Sequence, residues 1–244
     1  AIKLNIRKPM KICFVVAMPA ESHPFIDRFG VSEVQCFFAP LPCKLYRARV
    51  GESELDVVLN GQQQGSDLVG CEPATVATMC AIQRLQPDLI INSGTCGAFQ
   101  KNGAKIGDVF VANAVMFHDR RVPGDDAWGT QSLGNYPIYE RAAEIAGALA
   151  MKMGKVTTGS SLDMQPCDLK IIEENHGELK DMEGAAVAFV CSLFGTPVML
   201  IKSVTDLCDS GAETYEIFRQ NLALASKNIA DANERVVRYL AKNA

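Results

Sequence analysis

The chain is poor in the residues that announce metals, disulfides and membranes. Three histidines, at positions 23, 118 and 176, are too few and too scattered for a zinc site. No two of the nine cysteines have C-x-x-C spacing, and their number is odd. Several lie inside apolar runs, as in Val190-Cys191-Ser192-Leu193. Such thiols behave as small buried hydrophobes, which fits a reducing, cytoplasmic setting better than a disulfide framework. No apolar run reaches the length of a membrane span, and no secretory apolar segment is read at the N-terminus. Charge of either sign barely predominates: 24 basic against 28 acidic residues leave a net charge of −4. Nucleic acid and anionic membranes are therefore not expected as partners. There is no G-x-G-x-x-G, no P-loop, no low-complexity tract and no repeat. Nothing resembles a linker, so residues 10–244 read as one domain behind an N-terminal extension at residues 1–9.

What is present is an alternation of strands and helices. Ile12-Cys13-Phe14-Val15-Val16-Ala17 is a short, wholly apolar run of the kind buried on both faces of a parallel sheet. After a short loop, Ser22 is placed to cap a helix reaching Phe29. Lys44–Val50 and Leu55–Leu59 form a strand pair, and a helix is expected from about Asp67 to Arg84. Asp88–Asn92 is a second buried strand, closed by a small-residue loop, Ser93-Gly94-Thr95-Cys96-Gly97-Ala98. Gly107–Phe117 is a strand, Val122–Pro137 a long irregular loop, and Ile138–Met153 a helix. A strand at Lys155–Thr158, a helix at Ala185–Phe194, a strand at Pro197–Val204 and a helical stretch at Glu213–Leu240 complete the chain. Solidly apolar strands between helices predict a mixed, largely parallel sheet covered on both sides by helices.

In such sheets ligands bind beyond the carboxyl ends of the strands. The polar residues there are Glu21, Asn60, Thr95, His118, Ser160 and Asp206. Three carboxylates, Glu21, Glu183 and Asp206, stand among apolar or small neighbours. Singly, each reads as a helix cap or a dipole partner; together, on convergent strand ends, they read as an acid/base site. Cys96 is a poor nucleophile, because nothing nearby would lower its pKa. His118 and Asp119 are adjacent on a strand and point to opposite faces, which favours a structural role over a dyad. Lys202 and Asp206 lie about 13 Å apart along an extended strand, too far to pair.

Taken in order, these motifs resemble the nucleoside phosphorylase/nucleosidase family. Within it they are most similar to the 5′-methylthioadenosine/S-adenosylhomocysteine nucleosidases of plant type. The matching stretches are Val16-Ala17-Met18-Pro19-Ala20-Glu21, Asp88 through Gly97, Ile106-Gly107-Asp108-Val109-Phe110 and Phe117-His118-Asp119-Arg120-Arg121. They continue with Thr158 through Met164, Lys180-Asp181-Met182-Glu183-Gly184-Ala185-Ala186 and Lys202-Ser203-Val204-Thr205-Asp206. The resemblance implies a three-layer α/β/α sandwich, a small purine nucleoside as substrate, no cofactor or metal, and a homodimer. It implies that Asp206 protonates the purine, Glu21 activates water, Glu183 grips the ribose and Met182 packs on the sugar. Thr95 falls beside the water or phosphate site, Leu162 and Asp163 where main chain reads the adenine edge, and Met18 among the substrate contacts. An apolar wall for a 5′-methylthio group would come from Phe117, Trp128 and Tyr136, completed by a neighbouring subunit.

The nucleophile divides the family. A phosphate dianion needs donors or positive charge, and the phosphorylases' arginines fall after the first strand and before the Gly-Thr loop. This chain has Glu21 and Asn92 in those regions, which suits neutral water. Two departures keep phosphorolysis open: Ser160 stands where aspartate is frequent, and Gln62-Gln63-Gln64 is unusual. Arg47 or Arg120 would then be the phosphate ligands. A nucleoside-binding or storage protein of the same fold is the non-catalytic alternative.

Overall fold

The computed structural model describes residues 9–122, 127–211 and 213–243. The N-terminal extension, but for Pro9, lies outside them. The strands are β1 (Lys11–Val16), β2 (Ser32–Val34), β3 (Lys44–Val50), β4 (Ser53–Leu59), β5 (Gln62–Gln63), β6 (Ser66–Asp67), β7 (Leu89–Ala98), β8 (Val109–Phe117), β9 (Lys152–Thr158), β10 (Leu179–Asp181) and β11 (Val198–Leu207). The helices are α1 (Pro19–Ile26), α2 (Cys71–Leu85), α3 (Ala127–Leu133), α4 (Ala142–Ala148), α5 (Pro166–Glu174), α6 (Gly184–Phe194) and α7 (Thr214–Asn243).

Strand β1 shows why its run is apolar throughout. Cys13 and Val15 enter one core with Ala77 of α2 and Val187 of α6. Ile12, Phe14 and Val16 enter the other with Phe25 of α1, Ile145 of α4 and Ile229 of α7. Each successive side chain has a helical layer to meet, so the three-layer α/β/α sandwich is as expected. The nine-stranded sheet runs β10-β9-β8-β11-β7-β1-β4-β3-β2. It is parallel at β1–β4, β1–β7, β7–β11, β8–β9 and β9–β10, and antiparallel at the remaining pairings.

One pairing goes beyond a simple sandwich. β10 bonds to β9 on one side and returns antiparallel to the end of β7 on the other, with Leu179 opposite Ala98 and Lys180 opposite Gly97. Strands β7, β11, β8, β9 and β10 thereby close into a ring, and β10 delivers residues 180–183 to its mouth.

Several local expectations change. Ser93–Ala98 is not a turn but the second half of β7. Its residues are small because other side chains lie against its backbone. A Cβ on Gly94 would sit 3.1 Å from Glu21 Oε1, and one on Gly97 would sit 2.8 Å from Asp206 Oδ2. Helix α1 starts earlier than expected, with Met18 at the N-cap and Pro19 in the first turn. Ser22 lies inside it and donates to Pro19 O at 3.2 Å. The region 138–153 divides into α4 and the start of β9, separated by a turn in which Ala150 has φ +49°. Short α3 interrupts the long loop, of which residues 123–126 lie outside the described part.

Candidate active site

A cavity of about 240 Å³ opens where β1, β7, β10 and β11 end. Each of its carboxylates is delivered by a different element. Glu21 is the third residue of α1, immediately after β1, and is 5% exposed. Its Oε1 accepts from Thr95 N and from Thr95 Oγ1, both at 2.7 Å, and its Oε2 from Met18 N at 3.3 Å. Burial raises its pKa, against the pull of these donors and of Lys202. Glu183 sits at the mouth of α6, where Gly70 N donates to its Oε1 at 2.8 Å. Burial, with Asp181 and Glu21 nearby, raises it to about 7 against the attraction of Lys202 and the Gly70 donor.

Asp206 is placed by a β-bulge. The register of β11 against β7 runs Val204–Cys96 and then Asp206–Gly97, so Thr205 is the extra residue. Bulges re-aim side chains in this way beside functional sites. Thr205 Oγ1 lies 3.2 Å from Cys96 O and 2.8 Å from Asp206 Oδ1. Asp206 is 5% exposed, and burial raises its pKa while Thr205, Lys180 and Cys208 draw it down. A carboxyl raised in this way is a better proton store at neutral pH than a solvated one.

Two lysines serve this ring. Lys202 Nζ meets Asp181 Oδ2 at 2.6 Å, with both side chains essentially sealed from solvent. As expected, Lys202 does not pair with Asp206. Asp181 also accepts from Thr158 Oγ1 and, at 2.8 Å, from Gly184 N, so it anchors the start of α6 directly behind Glu183. Lys180 lines the cavity and donates to Ser161 O at 2.7 Å and Leu162 O at 3.0 Å, pinning the segment expected to face the base. Asp119 Oδ2 holds the same segment by accepting from Ser160 N at 2.8 Å. That is a structural task for Asp119; against the expectation that the two point to opposite faces, His118 Nε2 and Asp119 Oδ2 both lie against Gly159. Burial pushes Cys96 far above the ordinary thiol range, which removes it as a nucleophile.

Of the residues singled out from sequence, Met18, Glu21, Thr95, Leu162, Met182, Glu183 and Asp206 share the cavity. Asp163 does not; it is exposed and bonded to Gln165 Nε2. Phe117 does not line it either; it is buried in an aromatic group with Tyr136, under the Arg120 guanidinium. Trp128 is 68% exposed on α3 and does not line the cavity. The apolar wall within this chain comes instead from Val69 and from Tyr215 and Phe218 of α7. Their signal was the Tyr-x-x-Phe spacing of residues 215–218, which puts two aromatics on one helix face. Gln62 and Gln63 form a small hairpin with Ser66 and Asp67, outside the cavity lining.

The sequence profile of the Phosphorylase superfamily matches residues 11–238. A 5′-methylthioadenosine nucleosidase of Arabidopsis thaliana is 39% identical, over 96% of this chain and 89% of that protein. A 5′-methylthioadenosine/S-adenosylhomocysteine nucleosidase of the same plant is 37% identical, over 94% and 91%. The apo structure of the Arabidopsis thaliana 5′-methylthioadenosine nucleosidase superposes with a TM-score of 0.92, covering 96% of this chain and 97% of that one. The futalosine hydrolase of Helicobacter pylori, at 22% identity and a TM-score of 0.77, shares the fold. With its cavity formed by the motifs that carry this likeness, the chain belongs to the phosphorylase superfamily, in the family of the plant methylthioadenosine nucleosidases.

Proposed function

We propose that this site hydrolyses the N-glycosidic bond of 5′-methylthioadenosine, releasing adenine and 5-methylthioribose. Asp206 gives a proton to purine N7, so the C1′–N9 electron pair leaves with a neutral base. Positive charge then develops at C1′, as in glycoside hydrolysis generally. Glu21 takes a proton from the attacking water as its oxygen bonds to C1′, while Glu183 holds the ribose hydroxyls. Met182 and Leu162 pack on sugar and base, and Val69, Tyr215 and Phe218 receive the methylthio group.

The observation that carries water over phosphate is Glu21, a carboxylate already bonded to Thr95 at the nucleophile's end of the cavity. A phosphate dianion beside it would be repelled, and the nearby cations are engaged. Lys202 is paired with Asp181, and Lys180 holds two carbonyls. Arg47 forms a two-pronged pair with Asp56, and Arg120 stacks on Phe117; neither lines the cavity. The likeness to proteins named nucleosidases supports the same reading. In phosphate-free buffer the protein is expected to release adenine from methylthioadenosine, at a rate that added phosphate leaves unchanged. Release only with phosphate would make it a phosphorylase. No release from any purine nucleoside would make it a binding or storage protein.

The working form we propose is a homodimer. Helices α2 and α6 pack side by side and leave Val76, Met79, Leu193 (67% exposed) and Phe194 on the surface. Val69, just before α2, is exposed and also lines the cavity, so a second copy seated here would close that side of it. Sedimentation is expected to give a dimer, with Leu193→Asp/Phe194→Asp sedimenting as a monomer. A parent that sediments as a monomer at micromolar concentration would exclude this assembly. No described helix is long and apolar enough to cross a membrane. All nine cysteines are unpaired, which supports a reducing, cytoplasmic compartment.

A further inference from the structure

The two oxygens of Asp206 are held unequally. Oδ1 faces the Thr205 hydroxyl at 2.8 Å, whereas Oδ2 has the Cys208 thiol at 3.9 Å. Across from both Oδ2 and the sulfur lies bare backbone. A Cβ on Gly97 would sit 2.6 Å from Cys208 Sγ and 2.8 Å from Asp206 Oδ2. The bulge at Thr205 produces this stack, because it turns residues 206 and 208 toward the end of β7, where Cys208 N donates to Ala98 O at 2.8 Å.

We propose that Cys208 is a positioning residue for the acid, its S–H donating to Asp206 Oδ2 and, with Gly97, fixing the plane of the carboxyl group. This rests on the acid role given to Asp206 above. A hydroxyl is the stronger donor and a thiol the weaker. Oδ1 is therefore held as an acceptor by Thr205, and Oδ2 is the oxygen free to carry the proton to the base. Cys208 is half-buried, and burial with Asp206 alongside pushes it up to about 12. It stays a neutral S–H through the whole working range. The other groups around the acid are Lys180 from β10, which draws it down, the Cys96 thiol from β7, Asp209 beyond Cys208, and Tyr215 of α7 on the same cavity. All of them are retained when Cys208 is changed.

A packing role and a donor role separate by substitution. Cys208→Val keeps apolar bulk and removes the donor; Cys208→Ser keeps a donor and loses bulk. Losing a donor to the carboxylate favours its protonated form, so the alkaline limb of the pH–kcat profile on methylthioadenosine moves to higher pH. For Cys208→Val the expected movement is about half a pH unit, the scale of one weak donor. Cys208→Ser is expected to stay at the parent's position or below it. Cys208→Ala, which adds no bulk, is expected to move with Cys208→Val and serves if the valine variant melts low. Coincidence of both Val and Ala with the parent, or movement of Ser together with them, overturns the proposal. A parent without turnover overturns the underlying acid assignment and this proposal with it.

Discussion

Asp206→Asn is expected to lose about 10²–10⁴-fold in kcat on methylthioadenosine, the range typical of a general acid, and to melt no lower than the parent. The amide keeps the shape and keeps an acceptor for Thr205 Oγ1, but it has no proton to give to N7. The stability half follows from the sign of the shift. Burial raises the pKa of Asp206 in the folded protein above its unfolded value. Folding is therefore penalised at neutral pH, where the unfolded chain carries this carboxylate solvated. The penalty fades as pH falls through the raised folded value, and is gone below the unfolded one. Asn removes it, so any gain in melting temperature is largest at pH 7 and closes in the acid range. Adenine release and thermal melts at pH 7 and pH 4 test both halves. Parental turnover in the variant would take the acid role from Asp206, and a collapsed melt would make the residue structural.

The largest loss of stability is expected from Asp181→Asn. Lys202 is 1% exposed, and Asp181 is its contact partner. Removing one member of a buried pair leaves an uncompensated charge, at a cost of about 3–5 kcal/mol. Glu21 and Glu183 also attract Lys202, which points to the lower end of that range. Urea midpoints at pH 7.5 measure it. The double variant Asp181→Asn/Lys202→Met is expected to recover part of the loss, because no lone cation then remains. A single variant within about 0.5 kcal/mol of the parent, the spread of an ordinary surface substitution, would show that the other carboxylates already neutralise Lys202. The pair also ties stability to chemistry, since Asp181 accepts from the first amide of α6 immediately behind Glu183.

The legible parts were those with a local cause. Ile12–Val16 of β1 and the first parts of β7 (Leu89–Ile91) and β11 (Val198–Ile201) are buried on both faces and read as continuous apolar runs, which is visible in the sequence without knowing their neighbours. Glu21, Glu183 and Asp206 were legible because isolated carboxylates at strand and helix ends are few. Pairings across the chain were not legible. β10 is three residues long and has no period of its own; it is a strand because β7 and β9 flank it. The partnership of Lys202 with Asp181 depends on that placement. Small residues at 93–98 imitate a turn, because sequence cannot distinguish a glycine that bends the chain from one that admits a neighbour's side chain. Phe117, Trp128 and Tyr136 were expected to form the apolar wall, whereas Tyr215 and Phe218, near the start of α7, line the cavity.

The ring closure also determines which parts of the backbone are left unsatisfied. A sheet normally presents two rims of free amides and carbonyls, to which another chain can add as a strand. Here β10, last in the order, is bonded on both sides, so among the described strands of the main sheet the outermost one with a free side is β2, three residues long and carrying Glu33. A short, charged rim is a poor template for backbone-to-backbone growth. In the dimer proposed above, contact between copies would fall to side chains on helices, a mode that halts at a closed pair instead of extending into fibres.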